Sequence, residues 1–286
     1  MKSFSQNQLR DYSTLFSRNE AQAWLKCNFQ SLKYKIARYD NDWLLGKKYT
    51  YNDYLKYIYS ILEFNYANEY IIKNSFLNEW LIPEKGKDNA IIFNEFRVGK
   101  SVADLVIFNG TSKVFEIKTE FDSDKRLELQ IENYKKIFNE VYLIVPLAKL
   151  STYTKFDRSV GLISYVTKRE QKFNIERPCE VNYNIDSFTV MDLLHSNEYK
   201  TLIKKYYGLL PEMTSFNQFE KCSLLMQKIP TEKLNKLFIG QMKARNNSNE
   251  LSRRYFRELN QLSLSLKLNK IEKQNLVKNL NKCLND

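Results

Sequence analysis

Apolar side chains in the first 48 residues recur at helical spacing, and Trp24, Phe29, Leu32 and Ile36 share one face. After Thr50 a second helical stretch runs toward Leu81. Tyr54, Tyr57, Ile58, Ile61 and Leu62 form its buried stripe, and Pro83 and Gly86 end it. The period changes at Asn89. AIIFNEFRV, VADLVIF and KVFEIK are short runs rich in β-branched and aromatic residues, and they predict three strands. Asn109-Gly110-Thr111-Ser112 joins the second and third as a hairpin, because Asn and Gly both tolerate positive φ. Asp122 or Ser123 is placed to cap a helix over about 124–138, with Leu127, Ile131, Tyr134 and Phe138 on one face. EVYLIV predicts a buried strand ended by Pro146, and VGLISYV another. From about Phe188 the pattern is helical again, broken near Gly208–Pro211 and at Pro230.

The order is helix, three strands, helix, strand: an α/β chain. The expected divisions are an N-terminal helical region at 1–48, a core at 49–187 and a basic helical region at 188–286. With seven Gly and five Pro in 286 residues, long disordered linkers are not expected. No stretch near the start is apolar enough for a signal peptide, and none anywhere is long enough to span a bilayer. Cys27, Cys179, Cys222 and Cys283 are scattered without CxxC spacing, so they read as reduced thiols and the expected location is the cytoplasm. The net charge of +12 favours polyanions, nucleic acid and anionic membranes alike. A solubilising excess of lysine reads equally well from charge alone. Residues 232–286 hold twelve Lys or Arg against five Asp or Glu.

The chain has one histidine, His195, in a segment that reads as a helix surface. Catalytic triads, histidine-paired acid–base chemistry and His-rich zinc sites are therefore excluded. Hydrolysis would have to be carried by carboxylates, lysine and a bound metal. Residues 102–118 supply such a set. Asp104 opens one strand, and the return strand of the hairpin carries Glu116-Ile117-Lys118. Side chains alternate along a strand, so Glu116 and Lys118 project to one side about 6–7 Å apart, with Asp104 brought beside them. Asp104 and Glu116 are hard oxygen ligands suited to Mg²⁺ or Mn²⁺, and the carbonyl of Ile117 could add a third. Lys118 could orient the attacking water and stabilise charge at a phosphate. The plainer alternative for Glu116 and Lys118 is a salt bridge at a sheet edge.

This block resembles the PD-(D/E)XK nuclease superfamily, with Asp104, Glu116 and Lys118 at the signature positions and Ala103 where the motif's name has proline. The resemblance implies a restriction-endonuclease-like core, α-β-β-β-α-β with a mixed sheet, flanked by helical N- and C-terminal regions. Gln130 and Tyr134 form a Q-x-x-x-Y pattern similar to that of exonuclease domains in bacterial recombination helicase–nucleases. At i, i+4 the two share a helix face. Asn68-Glu69-Tyr70 falls where the superfamily often adds a metal-binding acid, which implies Glu69 as a further ligand. The block also resembles small bacterial proteins of phage and defence-related regions, which implies a role in phage defence or mobile-element biology. The implied activity is Mg²⁺-dependent hydrolysis of nucleic acid, DNA ahead of RNA, with no membrane partner. The alternative is a weakly active or inactive module on the same fold that binds nucleic acid or protein. Arg97 and Lys100 flank the hairpin and could grip phosphate, or lie on a solvated face. Lys243, Arg245, Arg253, Arg254 and Arg257 crowd a short stretch of the C-terminal segment. That segment reads as a nucleic-acid grip or as a helix packing through Leu234, Leu237, Phe238, Tyr255 and Leu259, and a homodimer interface is the competing use.

Overall fold

A computed structural model describes residues 3–45, 48–85, 90–120, 122–167, 171–245, 251 and 256–284. In chain order the helices are α1 (Gln6–Ser13), α2 (Arg18–Leu25), α3 (Gln30–Tyr39), α4 (Tyr51–Asn65), α5 (Glu69–Phe76) and α6 (Ile82–Lys85). Strands β1 (Ile91–Val98), β2 (Ser101–Phe108) and β3 (Ser112–Ile117) follow, then α7 (Leu127–Lys135), β4 (Glu140–Pro146), α8 (Leu150–Tyr153), β5 (Gly161–Tyr165) and β6 (Phe173–Arg177). The remaining helices are α9 (Ser187–Leu193), α10 (Ser196–Tyr207), α11 (Gln218–Met226), α12 (Thr231–Ala244), α13 (Asn260–Ser265) and α14 (Lys270–Leu280). No helix among the described residues is long and apolar enough to cross a membrane.

The chain divides into a helical unit (Met1–Pro83, Val166–Lys172 and Asn247–Asp286) and a sheet unit (Glu84–Tyr165 and Phe173–Asn246). These are not the divisions expected at 48/49 and 187/188. Residues 232–286 are not one region either. In α12, Leu234 and Phe238 lie in the core of the sheet unit, whereas Leu259, Leu276 and Leu280 lie in the core of the helical unit. Periodicity shows that a helix face must be buried but says nothing about which distant segment covers it.

In the helical unit, α4 starts at a capping box. Thr50 accepts from the Asp53 amide, and the Asp53 carboxylate accepts from the Thr50 amide. Its buried stripe of Tyr54, Leu55, Ile58, Ile61 and Leu62 packs in one cluster with Trp24, Leu32 and Leu276. Burying each such side chain contributes about 1.5–3 kcal/mol. The buried Asp40 carboxylate accepts hydrogen bonds from Tyr12 (2.5 Å), Tyr54 (3.0 Å) and Tyr57 (3.4 Å). Tyr12 and Tyr54 are fully buried, whereas Tyr57, expected in the buried stripe, is half-buried at its margin.

The sheet unit is α/β, with a six-stranded mixed sheet in the order β1-β2-β3-β4-β5-β6. Pairs β1–β2, β2–β3 and β5–β6 are antiparallel, and β3–β4 and β4–β5 are parallel. The Asn109–Thr111 hairpin forms as expected, with Gly110 at φ +121°, a conformation that favours glycine. Strand β6 has no counterpart in the expected elements. Helix α7 buries Leu127, Ile131 and Tyr134, as its periodicity predicts, but Arg126 occupies the N-cap without a side-chain bond. Asp122 instead accepts from the amide and hydroxyl of Thr119, closing a local turn. Two interruptions of the ladder concern the site. Between Asn94↔Leu105 and Phe96↔Ala103, Glu95 stands opposite Asp104 at φ +53°, a left-handed conformation rare for a side-chain-bearing residue in a strand. On the other side of Asp104, the β2–β3 pairing ends at Leu105↔Phe115.

Candidate active site

Asp104 occupies the place where its strand loses regular pairing on both sides. Its carboxylate takes over part of the missing ladder, accepting from the Ile117 amide at 2.7 Å. A backbone N–H in so buried a strand needs a partner, so this bond fixes the carboxylate beside β3. On β3, Phe115 pairs outward with Leu105, while Glu116 lies in register with Leu143 of β4. Lys118 follows the strand and donates its amide to the carbonyl of Ile144 at 2.8 Å.

Glu116 and Lys118 are both buried, at 4% and 7% exposure. Such charges persist only when paired and hydrogen-bonded, and here they are. Glu116 Oε1 accepts from Lys118 Nζ (3.1 Å) and from Gln130 Nε2 (2.8 Å), and Oε2 accepts from the Tyr134 hydroxyl (2.9 Å). Lys118 Nζ also donates to Gln130 Oε1 at 3.3 Å, so Glu116, Lys118 and Gln130 form a closed ring. The spacing of Gln130 and Tyr134 on α7 puts both side chains on Glu116. Tyr134 is both core and ligand to the carboxylate, being fully buried with its hydroxyl engaged.

Burial pushes the Glu116 carboxyl up to about 7, and the negative charge of Asp104 adds to the rise. Lys118 and the Tyr134 hydrogen bond act in the opposite direction. The Tyr134 phenol is raised by burial and by the Glu116 carboxylate it faces. Glu116 is therefore a buried carboxylate that feels a second negative charge from Asp104 and a positive one from Lys118. Among the described residues no three His, Cys, Asp or Glu side chains converge on a metal position. Asp104 and Glu116 form the pair able to hold one, a set that suits Mg²⁺, which keeps several waters.

The backbone beyond Lys118 is braced by residues that the sequence did not single out. Tyr165 at the end of β5 donates to the carbonyl of Lys118 at 3.3 Å. Lys149, just after β4, donates to the carbonyls of Glu120 (2.8 Å) and Thr119 (3.5 Å). No local motif marks either residue; their placement follows from the parallel register of β3, β4 and β5.

Other expected site residues lie elsewhere. Glu69 belongs to the helical unit, where its carboxylate accepts from Lys73 at 2.5 Å as an i, i+4 pair. Arg97 and Lys100 are exposed at the β1–β2 hairpin. Arg257 is in the helical unit, where its carbonyl accepts from Asn74 and Asn78. Arg257 also lines a cleft whose acids Glu63 and Glu79 pair with Lys172. Arg245 pairs with Glu198. Arg253 and Arg254, together with Tyr255, lie outside the described residues. His195 is the N-cap of α10 and donates its amide to Glu198.

A model of the family described as bacteriophage P4 protein cII matches residues 63–278, most of the chain. The chain belongs to that family. The matched span takes in Asp104, Glu116, Lys118, Gln130 and Tyr134. Within the P4 cII family, the protein cII of Enterobacteria phage P4 is 29% identical over 175 residues, which cover 59% of this chain. The chain spans 64% of the length of that curated relative. A solved structure of a protein of unknown function from Silicibacter pomeroyi covers 43% of this chain and 86% of its own, at 12% identity. Its TM-score of 0.29 is too low to bear on the fold.

Proposed function

We propose that this member of the P4 cII family is a metal-dependent nuclease of the PD-(D/E)XK type, acting on phosphodiester bonds of DNA or RNA. The observation that carries the reading is the closed network in which Lys118, Gln130 and Tyr134 converge on Glu116, with Asp104 bonded to the next amide of the same strand and its charge acting on Glu116. A salt bridge at a sheet edge needs neither a second carboxylate nor a glutamine and a tyrosine delivered from a helix. The chain order β1-β2-β3-α7-β4, antiparallel and then parallel, supports reading the sheet unit as a restriction-endonuclease-like core.

In this reading Asp104 and Glu116 would hold Mg²⁺ or Mn²⁺, which when bound supplies an acidified water and charge stabilisation at phosphorus. Lys118 orients the attacking water and faces the phosphate charge, a role suited to an ammonium already fixed by two oxygen acceptors. Gln130 and Tyr134 set the rotamer of Glu116, and Gln130 also positions Lys118. Ile117 contributes its amide to Asp104.

The test is a cleavage assay on a panel of single- and double-stranded DNA and RNA with Mg²⁺ or Mn²⁺. Asp104→Ala, Glu116→Ala and Lys118→Ala are each expected to lower cleavage at least about a hundredfold without loss of the circular-dichroism spectrum. Their combination should cost little more than any one alone, since the groups act as a unit. Ca²⁺, with its looser coordination, is expected to bind without supporting turnover. Wild-type rates in the triple variant, or in excess EDTA, would falsify the assignment.

A further inference from the structure

The helical unit carries a cationic helix face that the sheet-unit chemistry does not use. Helix α14 is fixed from within. Leu276 and Leu280 are buried in the core, and Asn279 donates to the carbonyls of Trp24 (3.0 Å) and Leu25 (3.2 Å) at the end of α2. Its start is fixed by a capping box, in which Asn269 accepts from the Glu272 amide and Glu272 from the Asn269 amide. The other face presents Lys270, Gln274 and Lys278 to solvent, followed by the exposed Lys282. Lys270, Lys273, Gln274, Val277 and Lys278 line a cleft of about 270 Å³. Lys273, only 8% exposed, reaches inward to Asn260 Oδ1 at 3.2 Å.

A solubilising helix surface usually alternates signs, with acids at i±3 or i±4 to its lysines. Here no acid stands at those positions from Lys270 or Lys278, and from Lys282 the one acid is Asp286, four residues on. Residues 267–284 hold five lysines and one acid, Glu272, and that acid is engaged as the cap. Lys270 and Lys278 are about 12 Å apart along the helix, the axial rise of three to four base pairs. Holding such charges in a row on an anchored helix costs self-repulsion that a polyanion relieves.

We infer that the outer face of α14, through Lys270, Lys278 and Lys282, is a sequence-independent grip on the phosphate backbone of nucleic acid. The choice of nucleic acid rests on the nuclease reading, whereas the cationic face does not. This places the grip on α14, not on Arg97, Lys100 or Arg257.

Fluorescence anisotropy of a labelled 30-base-pair DNA duplex, in EDTA so that no cleavage intervenes, tests it in the full chain. The variant is K270Q/K278Q/K282Q, and the control removes the same charge from exposed sheet-unit lysines, K204Q/K205Q/K228Q. Removing one lysine–phosphate pairing should flatten the dependence of log affinity on log salt by about 0.9. The α14 variant is therefore expected to lose two to three in slope and at least about tenfold in affinity at 0.1 M salt, with the control near wild type. Equal losses in both variants would reduce the effect to net charge and overturn the proposal. So would an unchanged slope in the α14 variant, or α14-dependent binding to phosphatidylserine vesicles with none to the duplex. D104A/E116A separates the two readings: duplex binding retained where even the wild type fails to cleave with Mg²⁺ or Mn²⁺ sinks the nuclease alone.

Discussion

Glu116 is held by three donors and yet is a reluctant anion, because the water it gave up solvated it better than its neighbours do. Its ordinary value of 4.5 applies to the unfolded chain, and the folded value is about 7. Between these values the folded protein keeps a proton that the unfolded chain has released. By linkage, stability is then highest below 4.5 and falls as pH rises toward 7, where the loss levels off. In chelator-treated protein this one group should account for a few kcal/mol between pH 4.5 and 8. Glu116→Gln removes the titration, so urea melts should show a flatter pH dependence than wild type and, above pH 7, a variant at least as stable. A parallel pH dependence in the two proteins would mean that the site is wetter than its burial indicates. Sites that work on charged substrates commonly hold groups at such a cost to stability.

At the scale of elements, the sheet unit depends on a few side chains that tie strand ends together. Asn139, at the entrance to β4, accepts from the amide and hydroxyl of Ser112 and donates to the carbonyl of Asn182 at 2.7 Å. Asn139→Ala leaves the buried Ser112 N–H unpaired and should destabilise by about 2–3 kcal/mol, read from chemical denaturation. What the sequence made legible follows the same division between local and distant partners. The three strands, the hairpin and α7 were legible because each carries its own periodicity or turn chemistry. Asp104, Glu116 and Lys118 could be read because strand alternation and the hairpin aim them, whereas Gln130 and Tyr134 entered through the resemblance, with i, i+4 spacing placing both on one helix face. Asp122 was misread, since a carboxylate that closes a turn and one that caps a helix have the same local surroundings. Strand β6 escaped notice because it buries only Phe173 and leaves Ile175 exposed, too little alternation to register. Lys149 and Tyr165 could not be found at all without knowing that β4 and β5 run parallel to β3.

Across the whole molecule, the helical unit is built from segments at the two ends of the chain, so loop closure over nearly the full length precedes much of its core. Composition could not foresee this, because +12 of net charge and an amphipathic face at each end fit many arrangements. The left-handed Glu95 also has a consequence at this scale. Strand β1 borders the sheet, and a straight border strand is where another chain can pair edge to edge. A residue turned to φ +53° in the middle of that strand breaks it into two short pieces, neither long enough to template a neighbour. Glu95→Val, which strongly disfavours that conformation, should let the border run straight. Static light scattering is then expected to show concentration-dependent self-association absent from wild type, with strands of neighbouring molecules joining edge to edge.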